Sequence, residues 1–219
     1  MAISSDHMRS TKSRPYRMRR RAEQVDETRQ RITEAAVRLH TTIGPAHASI
    51  AAIADEAGVT RLTVYRHFGD LDALFGACSA HWYARNPRPN AAEWAGIADL
   101  EERATRAFGE LFGWYRDHAD ELYPIYRDAA AMPRSAQLAL EAGNQMLADA
   151  LVDGLADRGI DDDLAGQERL RRAVARHLVD FWTWRSLVAL QDLGDREAVT
   201  IVVRLLTSAW TGARGTAEG

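Results

Sequence analysis

Apolar residues recur at three- and four-residue intervals along almost the whole of this 219-residue chain, and no stretch of useful length alternates apolar with polar. That period belongs to helices that bury one side; a half-buried strand would repeat every second residue. Glycine and proline fall between the periodic segments, where they punctuate the chain. The pattern therefore predicts an all-α fold.

The first periodic segment, about 24–42, places Val25, Ile32, Ala35, Ala36, Leu39 and Ile43 on one stripe, and Gly44-Pro45 ends it. Ser49 is placed to cap a short second helix in which Ile50, Ile53, Ala54 and Ala57 share a face. Gly58 can take the left-handed conformation needed just past a helix end. Thr60 then caps a third helix, with Val64 and Phe68 pointing inward and Arg61, Leu62, Thr63, Arg66 and His67 left outside. A helix, a short glycine-containing turn and a second short helix make a helix-turn-helix unit. Its second helix has about the width of the DNA major groove, roughly 12 Å. A fourth helix is expected from about 70 to 83, and "RNPRPN", 85–90, breaks the chain. Further helices are expected near 97–118, 120–131, 134–157, 166–192 and 195–213.

The run "IADEAGV", then "TVYRHF", then "DLDALF" resembles the DNA-binding domain of the TetR family of bacterial transcriptional regulators, over about 50 residues. The resemblance implies a three-helix N-terminal DNA-binding domain followed by a larger helical ligand-binding and dimerisation domain. It implies a phosphate contact for Ser49, base reading by Arg61, Leu62 and Thr63, and backbone contacts from Tyr65 and His67. Arg66 fills a position that can do either. One departure stands out: the lysine that family members commonly carry at the start of the fourth helix is Leu71 here, after Asp70. The chemistry of the side chains agrees. Arginine can donate two bonds to guanine O6 and N7, and Arg61 is the first candidate for that role. Leu62 and the Thr63 methyl suit thymine methyls, while the hydroxyls of Ser49, Thr60 and Tyr65 suit phosphates.

Charge supports a polyanion partner for the front of the chain. Residues 1–75 carry 12 basic and 9 acidic side chains, the remainder 16 and 22. Most of the front's excess lies in residues 9–21, "RSTKSRPYRMRRR", with seven positive charges and no negative one. The expected division is a basic arm without regular structure over 1–22, a DNA-binding domain over 23–70 and a helical effector-binding and dimerisation domain over 71–219. A nonspecific architectural DNA binder would need basic charge over the whole surface, and the body is acidic.

The single cysteine, Cys78, excludes an intramolecular disulfide framework and a cysteine-based zinc site, and its apolar neighbours point to an inert thiol. No run of eighteen apolar residues predicts a membrane span, and a cytoplasmic location is expected. The chain holds no HExxH, phosphate loop or dinucleotide fingerprint, so neither enzyme, metal nor cofactor is expected.

The last two segments are apolar on more than one side. Val199, Val202, Val203, Leu206 and Trp210 form one stripe, with Ile201 and Leu205 beside it. One side is expected to face the core and the other a second subunit, through an isologous homodimer interface that includes Trp184 and Val188. The resemblance implies the same: a four-helix bundle made by the two C-terminal helices of each subunit. In the middle segments, Phe108, Phe112, Tyr115, His118, Tyr123, Tyr126, Met146 and Trp182 combine aromatic faces with polar tips, as small-molecule pockets do. They are the expected effector pocket for a small apolar or aromatic molecule. Aromatic rings could also stack on a cation, with Glu110, Glu121 or Asp180 as the acid. The whole predicts a homodimeric repressor released from a near-palindromic operator by its effector, with activation by ligand as the variant.

Overall fold

A computed structural model describes residues 13–153 and 164–211; side chains are described from 16 to 153, at 166 and from 168 to 209. Among the described residues every regular element is helical. The helices are α1 (Ser13–Thr42), α2 (Ile50–Ala57), α3 (Arg61–Phe68), α4 (Leu71–Arg85), α5 (Ala91–Ala95) and α6 (Leu100–Asp117). They continue as α7 (Ala119–Arg127), α8 (Arg134–Val152), α9 (Leu164–Leu178), α10 (Phe181–Arg185) and α11 (Asp195–Thr211).

Two cores organise them. The smaller joins α1 to α4 through Ile32, Ala35, Ala36, Ile53, Ala54, Val64, Phe68 and Leu74. The larger gathers α5 to α11 around Trp94, Phe108, Phe112, Tyr115, Leu147, Leu151, Phe181, Val202 and Leu206. Helix α4 serves both: Leu74 and Cys78 lie in the first core, while Trp82 and Tyr83 pack against the second. Helix α1 also packs along α7.

The elements differ from the expected ones where apolar period does not set the boundary. Helix α1 starts at Ser13, so residues 13–22, expected to be irregular, form its first turns. These turns have no apolar face for periodicity to reveal. Side chains one turn apart hold them, with Arg19 Nε 2.9 Å from Glu23 and Arg20 over the Tyr16 ring. Residues 1–12 of the expected arm lie outside the described residues. Val25 and Ile43, at the ends of the α1 stripe, are exposed. The expected helix over 97–118 is α6, preceded by the separate α5. Arg103 bridges the two: its guanidinium donates to the carbonyls of Ile97 at 2.7 Å and Asp153 at 2.7 Å, closing the ends of α5 and α8.

The expected 166–192 helix is broken at Val179-Asp180. The Asp180 carboxylate accepts from Trp182 N at 2.8 Å and starts α10, while Tyr115 Oη donates to Val179 O at 2.7 Å. Helix α10 then runs into a π-helical turn over Ser186–Leu190. The break expected at residues 159–163 lies outside the described residues.

Candidate nucleic-acid interface and effector cavity

Local chemistry fixes the α2–α3 unit. Ser49 Oγ accepts from Ala52 N at 3.2 Å, which satisfies one of the free amides that begin α2. Gly58 closes the helix at φ 65°, ψ 40°, the left-handed region where a Cβ is disfavoured. Thr60 Oγ1 accepts from Thr63 N at 3.2 Å and lies 3.0 Å from the Thr63 hydroxyl. Helix α3 is anchored by buried Val64 and Phe68, which lie four residues apart on its inner face.

The outer face of α3 is open. Leu62 is 76% exposed, and Arg61, Tyr65 and Arg66 are exposed with it, while Thr63 and His67 are half-buried. A leucine so exposed on a short helix has no role in this chain's own packing. Sequence reasoning missed one supporting residue. Arg29 of α1 donates to the His67 carbonyl and lies 4.2 Å over the Phe68 ring, tying the end of α3 to α1. Burial, then the charges of Arg66 and Arg29, hold the His67 imidazole below its ordinary pKa. At the start of α4, Asp70 caps the helix by accepting from Ala73 N at 2.8 Å, and Leu71 beside it is exposed.

The expected effector pocket is not where the cavity lies. Phe108, Phe112, Tyr115 and Tyr126 are packed into the larger core. Met146 and Trp182 face outward, 56% and 43% exposed. His118 and Tyr123 are half-buried, and Trp182 meets Tyr123 and Phe181 edge-on. The aromatic run that looked like a pocket is a close-packed core, because tilted, edge-on and stacked ring pairs fill the space.

An apolar cavity of about 110 Å³ lies instead between α1, α4, α7 and α8. Helix α1 contributes Val37, His40 and Thr41; α4 contributes Phe75, Cys78, Ser79, Trp82 and Tyr83. Helix α7 adds Glu121, Leu122 and Ile125, and α8 adds Ala136, Ala139 and Leu140, with Met132 between them. His40 stacks on Phe75 at 4.4 Å, and burial lowers its pKa to about 4, so the ring is neutral. Burial pushes the Cys78 thiol up to about 12, which leaves it unreactive.

The expected dimer residues also move inward. Trp184, Val202, Val203 and Leu206 are buried inside the chain, and Val188 and Val199 partly so. The Trp210 side chain lies outside the described residues. The α11 stripe is the one that packs on α6, and the second apolar face, Ile201 (36% exposed) and Leu205 (53%), is the open one. Periodicity finds both stripes but does not say which faces inward.

Two short helices at a glycine turn, the second one exposed, on a three-helix core: this is a helix-turn-helix protein. Residues 32–78 match the family model of the bacterial regulatory proteins of the tetR family. The HTH-type transcriptional regulator AcrR of Shigella flexneri is 42% identical over 57 residues, 26% of each chain. The HTH-type transcriptional regulator SrpR of Pseudomonas putida is 46% identical over 57 residues, 26% of this chain and 27% of SrpR. The match thus spans about a quarter of those relatives' length. A tetR-family regulator from Streptomyces coelicolor shares the fold, with TM-score 0.59 and 18% identity over 88% of this chain and 84% of its own. So does a TetR-like regulator from Rhodococcus sp. RHA1, with TM-score 0.51 and 23% identity over 86% and 97%. The segment 32–78 is thus similar to the tetR-family regulatory proteins, and the chain as a whole shares the fold of the two solved regulators.

Proposed function

We propose that the protein is a homodimeric transcriptional repressor that reads a near-palindromic operator with α3 and is released by a small effector in the α1/α4/α7/α8 cavity. The observation that carries this reading is the outer face of α3, where Arg61, Leu62, Tyr65 and Arg66 are exposed on a helix held from behind by Val64 and Phe68. Arg61 and Leu62 supply base contacts, and Ser49, Thr60 and Tyr65 supply phosphate contacts. The arginine-rich start of α1 adds sequence-independent attraction. Dimerisation through the last two helices uses the Ile201–Leu205 side of α11, the apolar side left open by the core.

The location of the cavity supports release by ligand. Two anchors hold the reading unit to the body. Asp128, at the end of α7, accepts from Ala46 N at 3.1 Å, and Arg127 donates to Ile43 O at 2.9 Å, both in the loop before α2. Ser135, at the start of α8, donates to Asp72, just after α3. Helices α7 and α8 also line the cavity, so a ligand that parts them from α1 and α4 pulls on both ends of the reading unit. Ligand and operator then oppose each other by the same factor.

Retention of source-genome DNA fragments on the protein gives the operator, and Arg61→Ala tests the reading helix. The variant is expected to lose about 1–3 kcal/mol of discrimination at one base of each half-site while its assembly is unchanged. Unaltered sequence preference would remove α3 from the readout.

A further inference from the structure

We propose that the cavity selects a compact organic cation, with the Glu121 carboxylate as its counter-charge and the Trp82 ring as its platform. The proposal rests on the cavity being the ligand site.

The charges around the cavity are one-sided. Glu121 is the only carboxylate among the lining residues, and neither arginine nor lysine lines it. The one imidazole there, His40, is neutral. Among the described residues Glu121 makes no ion pair, and its carboxylate accepts a hydrogen bond from Trp82 Nε1. One oxygen is thus occupied by the indole, and the other is open at the rim, where Glu121 is exposed. The remaining acids named from the sequence are committed. Glu110 is bonded to Arg106 and Trp94, and Asp180 caps α10 and holds Asn144.

The walls fit a cation that is otherwise apolar. Phe75, Trp82 and Tyr83 offer aromatic faces, whose negative quadrupoles attract positive charge. Leu122, Ile125 and Leu140 take the hydrocarbon part. The volume, about 110 Å³, is of the order that holds a single ring. The positive amino-terminal end of α7 offsets part of the Glu121 charge but supplies no neutralising cation. Arg88 is a competing charge beside Tyr83. It lies over Tyr83 at 4.9 Å and over Trp114 at 5.7 Å and donates to Tyr83 Oη at 2.7 Å, outside the cavity lining. The Tyr83 end is therefore the less favourable one, and the cation belongs at the Trp82–Glu121 end.

Three probes of one shape and different charge test this on the full chain by calorimetry: benzylamine, benzyl alcohol and benzoate. The expected order is benzylamine tightest, by about tenfold over benzyl alcohol, with benzoate weakest. Glu121→Gln keeps an acceptor for the Trp82 indole and removes only the charge. It is expected to bring benzylamine down to the level of benzyl alcohol and to leave the alcohol unchanged. Ala136→Phe, which fills the space, is expected to abolish binding of both. Equal binding of benzylamine and benzyl alcohol, or a preference that survives Glu121→Gln, would overturn the cation proposal and leave the cavity as an apolar site. Absence of binding by all three probes would overturn the cavity reading along with it.

Discussion

The reading head and the body spend their aromatic and apolar side chains in opposite ways. In α3, a leucine, a tyrosine and two arginines are held out from a small core. In α6, two phenylalanines and a tyrosine that could have lined a pocket are fully buried. Exposure that packing does not require marks an interface in the head. Aromatic abundance marks only a core in the body. The largest expected effect tests this contrast. Phe112→Ala should cost about 3–5 kcal/mol in denaturant unfolding, because a closed core leaves a cavity behind, whereas Leu62→Ala should stay within about 0.5 kcal/mol. A small loss at Phe112 would mean that it borders open space after all, and the contrast would fail.

The same difference explains what the sequence could reveal. In the head, structure is set by signals a few residues apart. Ser49 bonds three residues on, Gly58 turns the chain, and Thr60 caps α3, so the bounds of α2 and α3 and the exposed Arg61, Leu62, Tyr65 and Arg66 were legible. In the body, α11 carries two apolar stripes, and packing against α6 and α9 decides which is inside. The α9–α10 break depends on Tyr115, more than sixty residues away, reaching the Val179 carbonyl. The cavity lies where four helices from both regions meet, and its lining runs from Val37 to Leu140. Glu121 could be named as an acid from the sequence, but not chosen over Glu110 and Asp180, since only long-range partners separate them.

His40 sits where head and body meet, and pH tests that junction next. Its pKa is about 4 in the fold and about 6.5 when free. Between those values the unfolded chain binds a proton that the folded chain refuses. Stability is therefore held above pH 6.5 and falls as pH drops toward 4, by up to about 3 kcal/mol. Urea unfolding across that window should show the fall in the wild type and a flatter line in His40→Leu. Identical slopes would mean that the ring is hydrated and that the junction is open.

The smallest stability effect carries the sharpest functional contrast. Thr60 has two roles: its hydroxyl caps α3, and it stands beside the proposed phosphate path. Thr60→Asp separates them. Aspartate is an equal or better cap, and its charge suits the positive end of a helix, so stability should change by less than about 0.5 kcal/mol. Near a phosphate, the same charge is repelled, so operator affinity should fall for all sequences alike, most strongly at low salt. Gel-shift titration at two salt concentrations, paired with thermal unfolding, reads both quantities. A variant that melts like the wild type and binds like it would show Thr60 to be a cap alone. The phosphate path would then pass along Ser49 and Tyr65, on the far sides of α2 and α3.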